Sequence, residues 1–493
     1  MTMRSPFGAL GPNCAARRPP RAVESPGRRR HTLMGRARDR QSQVLLMGVR
    51  PSRGANTIAD HLRAFGRYSR HRVYFLQSQR ALRDDFTGGL ATFPEWLALS
   101  RFDVLIIHYS NYLPSELHFD ARAREQIRAF TGLKVLFLQD EYREIDAVTA
   151  RIGELGIDVL FTCVPSDEIE RVYPAERLPG LTRINTLTGF VPEDLTELDV
   201  PRVAARSIDV GFRSRKVPYW LGELGREKWE IVPKFTRAAA GSGLVLDLSY
   251  EEHDRIYGRA WLKFICSCKT MLGTESGASV FDFTGEIQRS VEGYVATRPD
   301  AGFDDVSERF LRPHEGRIRI NQISPRCFEA AALRTAMVLY EGRYSDVLEP
   351  WRHFIPLRKD LGNIDEVLRA IRDTTALQKM VDRAYQEIAL DPRYSYRTFI
   401  DRFDAVVEAE LRNRGKARDH RETDPLEASL RLRLAVREIG VSATHAAIHL
   451  ASPAYRMLVP AALRRQVRVF IRKRLVSRPT ELEAGRVSRE RLM

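Results

Sequence analysis

From Gln43 onward, short apolar runs alternate with longer stretches in which apolar positions recur every three or four residues. Runs of the first kind, bounded by polar turns, read as buried strands, and the longer stretches read as amphipathic helices. The pattern predicts strands at 44–49, 73–76, 103–108, 135–138, 159–163 and 185–190, with helices between them. A charged, proline-bearing stretch at 192–206 reads as a linker, after which the rhythm restarts at 208–212 and 244–248 and continues to an apolar strand at 337–340. Strand–helix alternation of this kind builds parallel sheets. The expected fold class is α/β, with two Rossmann-like domains at 41–195 and 196–395.

Within that frame the stretch 318–342 holds most of the chemistry. It reads as loop, short helix, buried strand and glycine turn. Ser324 can cap the helix and Pro325 fits its first position, while Phe328, Ala331 and Ala332 share one face. Glu329 lies about one turn inside, near an end whose free N–H groups attract anions. A carboxylate there suits a ligand carrying both hydroxyls and phosphates.

Ligands of parallel sheets bind beyond the carboxyl ends of the strands, which brings forward Gly54, Asn56, His108, Tyr109, Asp140 and Glu141. Asp140 and Glu141 either orient an acceptor hydroxyl, or form a solvated loop or a capping pair for the next helix. Arg213, Arg215 and Lys216 follow the first strand of the second domain and form a pyrophosphate clamp, or else a solvated basic loop. Ser249 can cap the next helix, whose Tyr257, Trp261 and Phe264 read as core. Around Glu275, the small residues Ser276, Gly277 and Ser279 suit a loop whose backbone approaches an anion, or a capped turn before a helix at Phe281. Residues 281–317 read as a helical insertion, and Glu341, Gly342 and Tyr344 are placed to meet phosphate or ribose.

The run Glu-Ala-Ala-Ala-Leu-Arg-Thr-Ala-Met-Val (329–338) resembles the Glu-Ala-x-Ala-x-Gly-x-Pro-Val-Val signature of retaining family 4 glycosyltransferases and their spore-coat-type relatives. That resemblance implies a GT-B-like fold, with two domains facing a cleft and helix 396–411 crossing back onto the first. It implies that Glu329 contacts the donor's ribose or sugar hydroxyls, with Asn321, Ser324 and Arg326 beside it. His108 is similar to the strand-end histidine that contacts the donor sugar in that family; capping by a neighbour is the alternative. Three positions depart from the pattern. Arg334 stands for Gly, Ala336 for Pro, and Asn321 for the first of two glutamates, a role that Glu275 would take over. The implied reaction is retaining transfer from a UDP- or GDP-sugar to a glycan or lipid-linked acceptor, with no metal and no cofactor beyond that co-substrate. A non-catalytic sugar-nucleotide- or glycan-binding scaffold and a sugar-nucleotide epimerase are the alternatives.

Composition narrows the picture. The chain has 493 residues, 43% hydrophobic and 29% charged, which describes a soluble globular protein of two or three domains. The net charge of +15 is uneven. Residues 1–40 hold 10 basic and 2 acidic side chains and residues 412–493 hold 19 and 8, leaving 50 and 54 for the centre. A mildly acidic centre argues against nucleic acid as partner. Residues 1–40 read as a disordered basic segment. In the tail, apolar positions from Leu458 to Ile471 recur at helical spacing among Arg464, Arg465, Arg468, Arg472, Lys473 and Arg474. That segment suits either an anionic membrane surface or the protein body. Five scattered cysteines read as reduced thiols, and no apolar run approaches a membrane span, so the expected location is cytoplasmic, or peripheral at the inner membrane face if the tail binds lipid.

Overall fold

A computed structural model of the protein describes residues 41–50, 56–78, 93–94, 96–116, 118–415 and 427–440. The basic N-terminal segment, Gly54 and the amphipathic tail at 458–474 lie outside them.

Six parallel strands form the first sheet: β1 (Gln43–Gly48), β2 (Arg72–Gln77), β3 (Val104–Ile107), β4 (Leu133–Phe137), β5 (Val159–Thr162) and β6 (Thr182–Asn185), in the order β2-β1-β3-β4-β5-β6. The sixth strand ends where the sequence pattern places its start. Residues 186–190 instead reach toward the other half, where the Thr188 hydroxyl donates to the Ile323 carbonyl at 2.5 Å.

The second sheet begins with β7 (Ile208–Arg213), β8 (Leu246–Ser249) and β9 (Cys268–Gly273). An antiparallel ribbon follows, β10 (Ser276–Val280) with β11 (Glu315–Gln322), and then β12 (Ala336–Tyr340) and β13 (Ile355–Leu357) complete the sheet. Its order is β13-β12-β9-β7-β8, all parallel. Both sheets therefore reverse their direction of growth after the second strand, which puts the switch between β1 and β3 and between β7 and β9. Two Rossmann-like sheets of one topology face a common cleft, the GT-B-like arrangement.

The ribbon replaces the expected anion-binding loop around Glu275. Gly277 has φ +108, and a Cβ there would meet the Ile320 carbonyl oxygen at 1.7 Å. The small residues thus serve close approach of two strands rather than approach to a ligand. Ala278 and Val280 are buried, and no helix starts at Phe281; the helical part of the insertion begins at Glu286. Phe281, Ile318 and Ile320 join the apolar core of the first half. Ser249 closes a short turn rather than capping a helix, accepting from the Glu251 N–H at 3.0 Å, and the next helix starts at Gly258, with Trp261 and Phe264 buried and Tyr257 outside it.

Helix Tyr396–Asn413 lies on the first sheet. Tyr396, Phe399, Ile400, Phe403 and Val407 pack against Val44, Leu46, Phe65, Phe137 and Phe161. Its start is capped by Ser395, whose Oγ accepts from the Thr398 N–H at 3.1 Å. A further helix, 427–440, buries Leu430 and Leu434 against the same half. Among the described residues, no helix is long and apolar enough to cross a membrane.

Candidate functional site

Doubly wound sheets bind ligands beyond their strand ends, where the order reverses. In the second sheet that point lies between β7 and β9, and a cavity of about 260 Å³ opens there. Ser214 and Arg215 reach it from the end of β7, Gly273, Thr274 and Glu275 from the end of β9, and Asp140 and Tyr142 from the opposite half. Lys228 enters from helix Gly222–Ala238, and Arg326 and Ala330 from helix Pro325–Ala332. The Lys228 ammonium donates to the Gly277 carbonyl at 3.3 Å, and burial holds its pKa down to about 8. Arg326 donates to the Arg213 carbonyl at 2.6 Å and lies over the Trp261 ring at 5.4 Å. With Arg255, four cations thus share one small cavity with Asp140, whose φ of +59 puts it in the left-handed region that few non-glycine residues adopt. Such a site favours an anion of more than one charge.

Of the expected clamp, Arg215 alone lines this cavity. Arg213 donates to the Asp247 carbonyl and carboxylate at 2.9 and 2.7 Å and lies 4.4 Å over the Phe264 ring, which ties β7 to β8. Lys216 sits over the rings of Tyr219 and Trp229 at 4.9 and 5.1 Å, away from the cavity. Sequence reading missed Lys228, although it left a signal. The lysine lies in register with Leu224, Ile231, Val232 and Phe235, the buried face of its helix, where an ammonium needs a reason to be.

Glu329 opens onto an adjoining hollow of about 160 Å³ with Arg213, Arg255, Tyr257 and Arg326, and with Asn56 and Thr57 from the first half. The Trp261 Nε1–H donates to its Oε2 at 2.8 Å. Burial pushes the carboxyl up to about 7, against the opposing pull of Trp261 and Arg326. Ser324 stands at the cap position of the Pro325–Ala332 helix, yet its hydroxyl makes no capping bond, and it lines both hollows.

Glu275 forms the wall between the switch-point cavity and a larger one of about 790 Å³. Its carboxylate accepts from the Asn321 amide at 2.7 Å and from the backbone N–H groups of Arg343 and Tyr344 at 3.0 and 2.9 Å. Glu275 and the residue at the missing glutamate's position are therefore hydrogen-bonded neighbours. A Cβ on Gly342 would meet the Glu275 carboxyl carbon at 2.6 Å, so glycine is needed for that brace. The expected donor set divides: Ser276, Ser324 and Arg326 line the switch-point cavity, whereas Asn321, Glu341 and Gly342 line the larger one with Thr188, Asn185 and Arg319.

Five expected contacts are corrected. Gly277 is buried under Ile320 in the ribbon. Ser279 accepts from the Leu224 N–H at 3.0 Å and caps the Gly222–Ala238 helix from outside, so its hydroxyl is not offered to a ligand. Tyr344 is wholly buried, its hydroxyl donating to the Tyr340 carbonyl at 2.6 Å. His108 is also 0% exposed, 3.0 Å from the ring nitrogen of His61 and 2.9 Å from the Ser110 hydroxyl, and burial drives its pKa well below the ordinary range. Its neighbours cap it, and it reaches no cavity. Glu141 is likewise inside, accepting from Thr162 at 2.5 Å, Tyr173 at 2.8 Å and the Cys163 N–H at 2.8 Å, with its carboxyl raised to about 7 by burial. Asp140 alone of that pair reaches the cleft, while both residues border a small hollow of the first half with Tyr109 and Asn111.

No protein-family model matches the chain, and no curated protein does. Among solved structures, TarM is similar at a TM-score of 0.37 and 11% identity, over 62% of this chain and 54% of TarM, so the chain spans about half of that protein's length. An alpha-glucosyltransferase in complex with UDP-glucose and DNA containing an abasic site is similar at 0.43 and 11%, over 75% of this chain and 100% of that one. Anabaena Alr3699/HepE in complex with UDP-glucose is similar at 0.38 and 9%, over 75% and 100%. Likenesses this distant carry nothing about substrate.

Proposed function

We propose that the protein is a nucleotide-sugar-dependent glycosyltransferase, with the donor's diphosphate in the switch-point cavity of the second half. The observation behind this reading is the convergence of Arg215, Lys228 and Arg326 on that cavity, with Glu329 in the next hollow. Three guanidinium forks, that of Arg255 included, and an ammonium oppose the negative charge that grows on a leaving diphosphate, in a site already shaped for it. Glu329 takes hydroxyls of the ribose or sugar, and the donor is a UDP- or GDP-sugar. The acceptor, a glycan or lipid-linked sugar, approaches from the first half past Asn56 and Asp140. With retention, the leaving phosphate oxygen takes the acceptor's proton, and no side-chain base is required.

Titration of the full chain with UDP-glucose and GDP-mannose, followed by calorimetry, tests the reading. Each charged hydrogen bond lost costs about 1.5–3 kcal/mol, so Lys228→Ala and Arg326→Ala should each weaken donor binding roughly 10- to 100-fold. Lys216→Ala should leave it unchanged. Absence of binding by any nucleotide sugar, or indifference to Lys228→Ala, defeats the proposal. Turnover is then read as nucleoside diphosphate release with glycan, lipid-linked and DNA acceptors, DNA being included because one similar structure holds it. NMR of the product's anomeric centre decides retention.

One observation favours a second reading, a binding scaffold without turnover. Asn321 stands where the resembled family has its first glutamate, and the Glu275 carboxylate already accepts three N–H groups. Tight donor binding without release of diphosphate would mark that case, and sugar conversion without an acceptor would mark an epimerase.

A further inference from the structure

The helix over 427–440 has two unlike faces. Leu430 and Leu434 are buried beside Tyr74, Leu76, Phe93 and Leu97. Its polar anchors point the same way: Glu427 pairs with Arg72 at 3.1 Å, Arg431 lies over the Tyr74 ring at 4.6 Å, and Arg437 donates to the Gln77 carbonyl at 3.0 Å. The opposite face carries Leu432, Val436 and Ile439, spaced by four and three residues and so forming one stripe. They are 65%, 60% and 67% exposed. Trp96, also exposed, lies under Arg433 beside the same helix.

A single exposed leucine needs no explanation, but an aliphatic stripe on a helix whose arginines are turned to the protein does. We infer that this stripe docks the protein on an anionic lipid surface. Charge argues for that occupant. The stripe stands at the start of the strongly basic end of the chain: residues 441–493 hold 11 basic and 3 acidic side chains, whereas 41–411 are net acidic. Downstream, apolar positions from Leu458 to Ile471 are interleaved with three arginines and followed at once by three more cations. One weak apolar contact or one basic cluster alone gives marginal membrane binding, and the two together give a stable one. A second copy of the chain is the poorer occupant, because three aliphatic side chains fall well short of the ~800 Å² per partner of a stable interface. The inference adds to sugar transfer and does not depend on it, since lipid binding is read without any donor.

Flotation of the full chain with phosphatidylcholine vesicles, with and without phosphatidylglycerol, tests it. The wild type should float with the anionic vesicles and stay behind with the neutral ones or in high salt. Replacing the stripe together (Leu432→Ser, Val436→Ser, Ile439→Ser) should weaken the partition at least roughly tenfold, while Leu432→Met with Ile439→Leu keeps it. Hydrogen exchange of the wild type should show added protection over 427–440 when anionic vesicles are present, a readout that does not rely on the serine variant folding. Absence of wild-type binding, binding unchanged by the serine variant, or no added protection at 427–440 overturns the inference. So does a dimer, seen by light scattering, that the serine variant breaks.

Discussion

Two titratable side chains set the pH behaviour of the site. Glu329 has its carboxyl raised to about 7 by burial, above its unfolded value. A raised acid loses stability for the fold as pH climbs from about 4.5 to 7, because only the unfolded chain can then ionise freely. Glu329→Gln keeps an acceptor for the Trp261 N–H and removes the ionisation. The variant should match wild type near pH 4 and be more stable by about 3 kcal/mol above pH 7, measured by denaturant unfolding. It should at the same time bind donor more weakly. Lys228 titrates the other way round, with burial lowering its pKa to about 8. Donor affinity should therefore fall as pH rises through 8, and in Lys228→Arg the fall should move beyond the range in which the protein stays folded. Arg334 is a third case. It has φ +48 where the resembled family has glycine, and its guanidinium lies over the Tyr385 ring at 4.0 Å. Glycine would relieve about 1 kcal/mol of strain and lose a stacking contact of similar size, whereas alanine keeps the strain and loses the contact. Arg334→Gly should be near neutral and Arg334→Ala destabilising by about 1 kcal/mol, read from unfolding midpoints.

At the scale of elements, the ribbon decides the shape of the site. Gly277→Ala puts a Cβ into the Ile320 carbonyl, and no side chain can yield there because the obstacle is backbone. It should cost at least about 2–3 kcal/mol and release the Glu275 brace on the turn at 342–344, so donor binding should fall with stability. The elements most legible in the sequence were those whose apolar runs are local: β1, β3, β5, β7 and β12, and the Pro325–Ala332 helix with proline at its first position. The ribbon was not, since Gly277, Ala278 and Ser279 are chosen to fit Ile320 and Leu224, residues far along the chain. Lys228 and Glu275 acquire their surroundings in the same non-local way. The polar tips that looked available, His108, Glu141 and Tyr344, are closed off by His61, Thr162 and Tyr340, which no pattern along the chain announces.

For the whole molecule, the joint between the halves matters most. Asp404, fully buried on the returning helix, accepts from the Ser69 hydroxyl at 2.8 Å and the Arg70 N–H at 2.7 Å. Asp404→Ala takes the acceptor from both donors and should cost about 2–3 kcal/mol, with faster hydrogen exchange along 396–413 as its local sign. On the far side, Gln322 donates to the Cys163 carbonyl at 2.5 Å, beside the ribbon residues that enter the first half's core. A hinged jaw would have to pull Phe281, Ile318 and Ile320 from their socket at every opening. The two halves are stitched along that seam. On the proposed reading, the donor would enter through the hollow that Asn56 and Thr57 of the first half line together with Glu329.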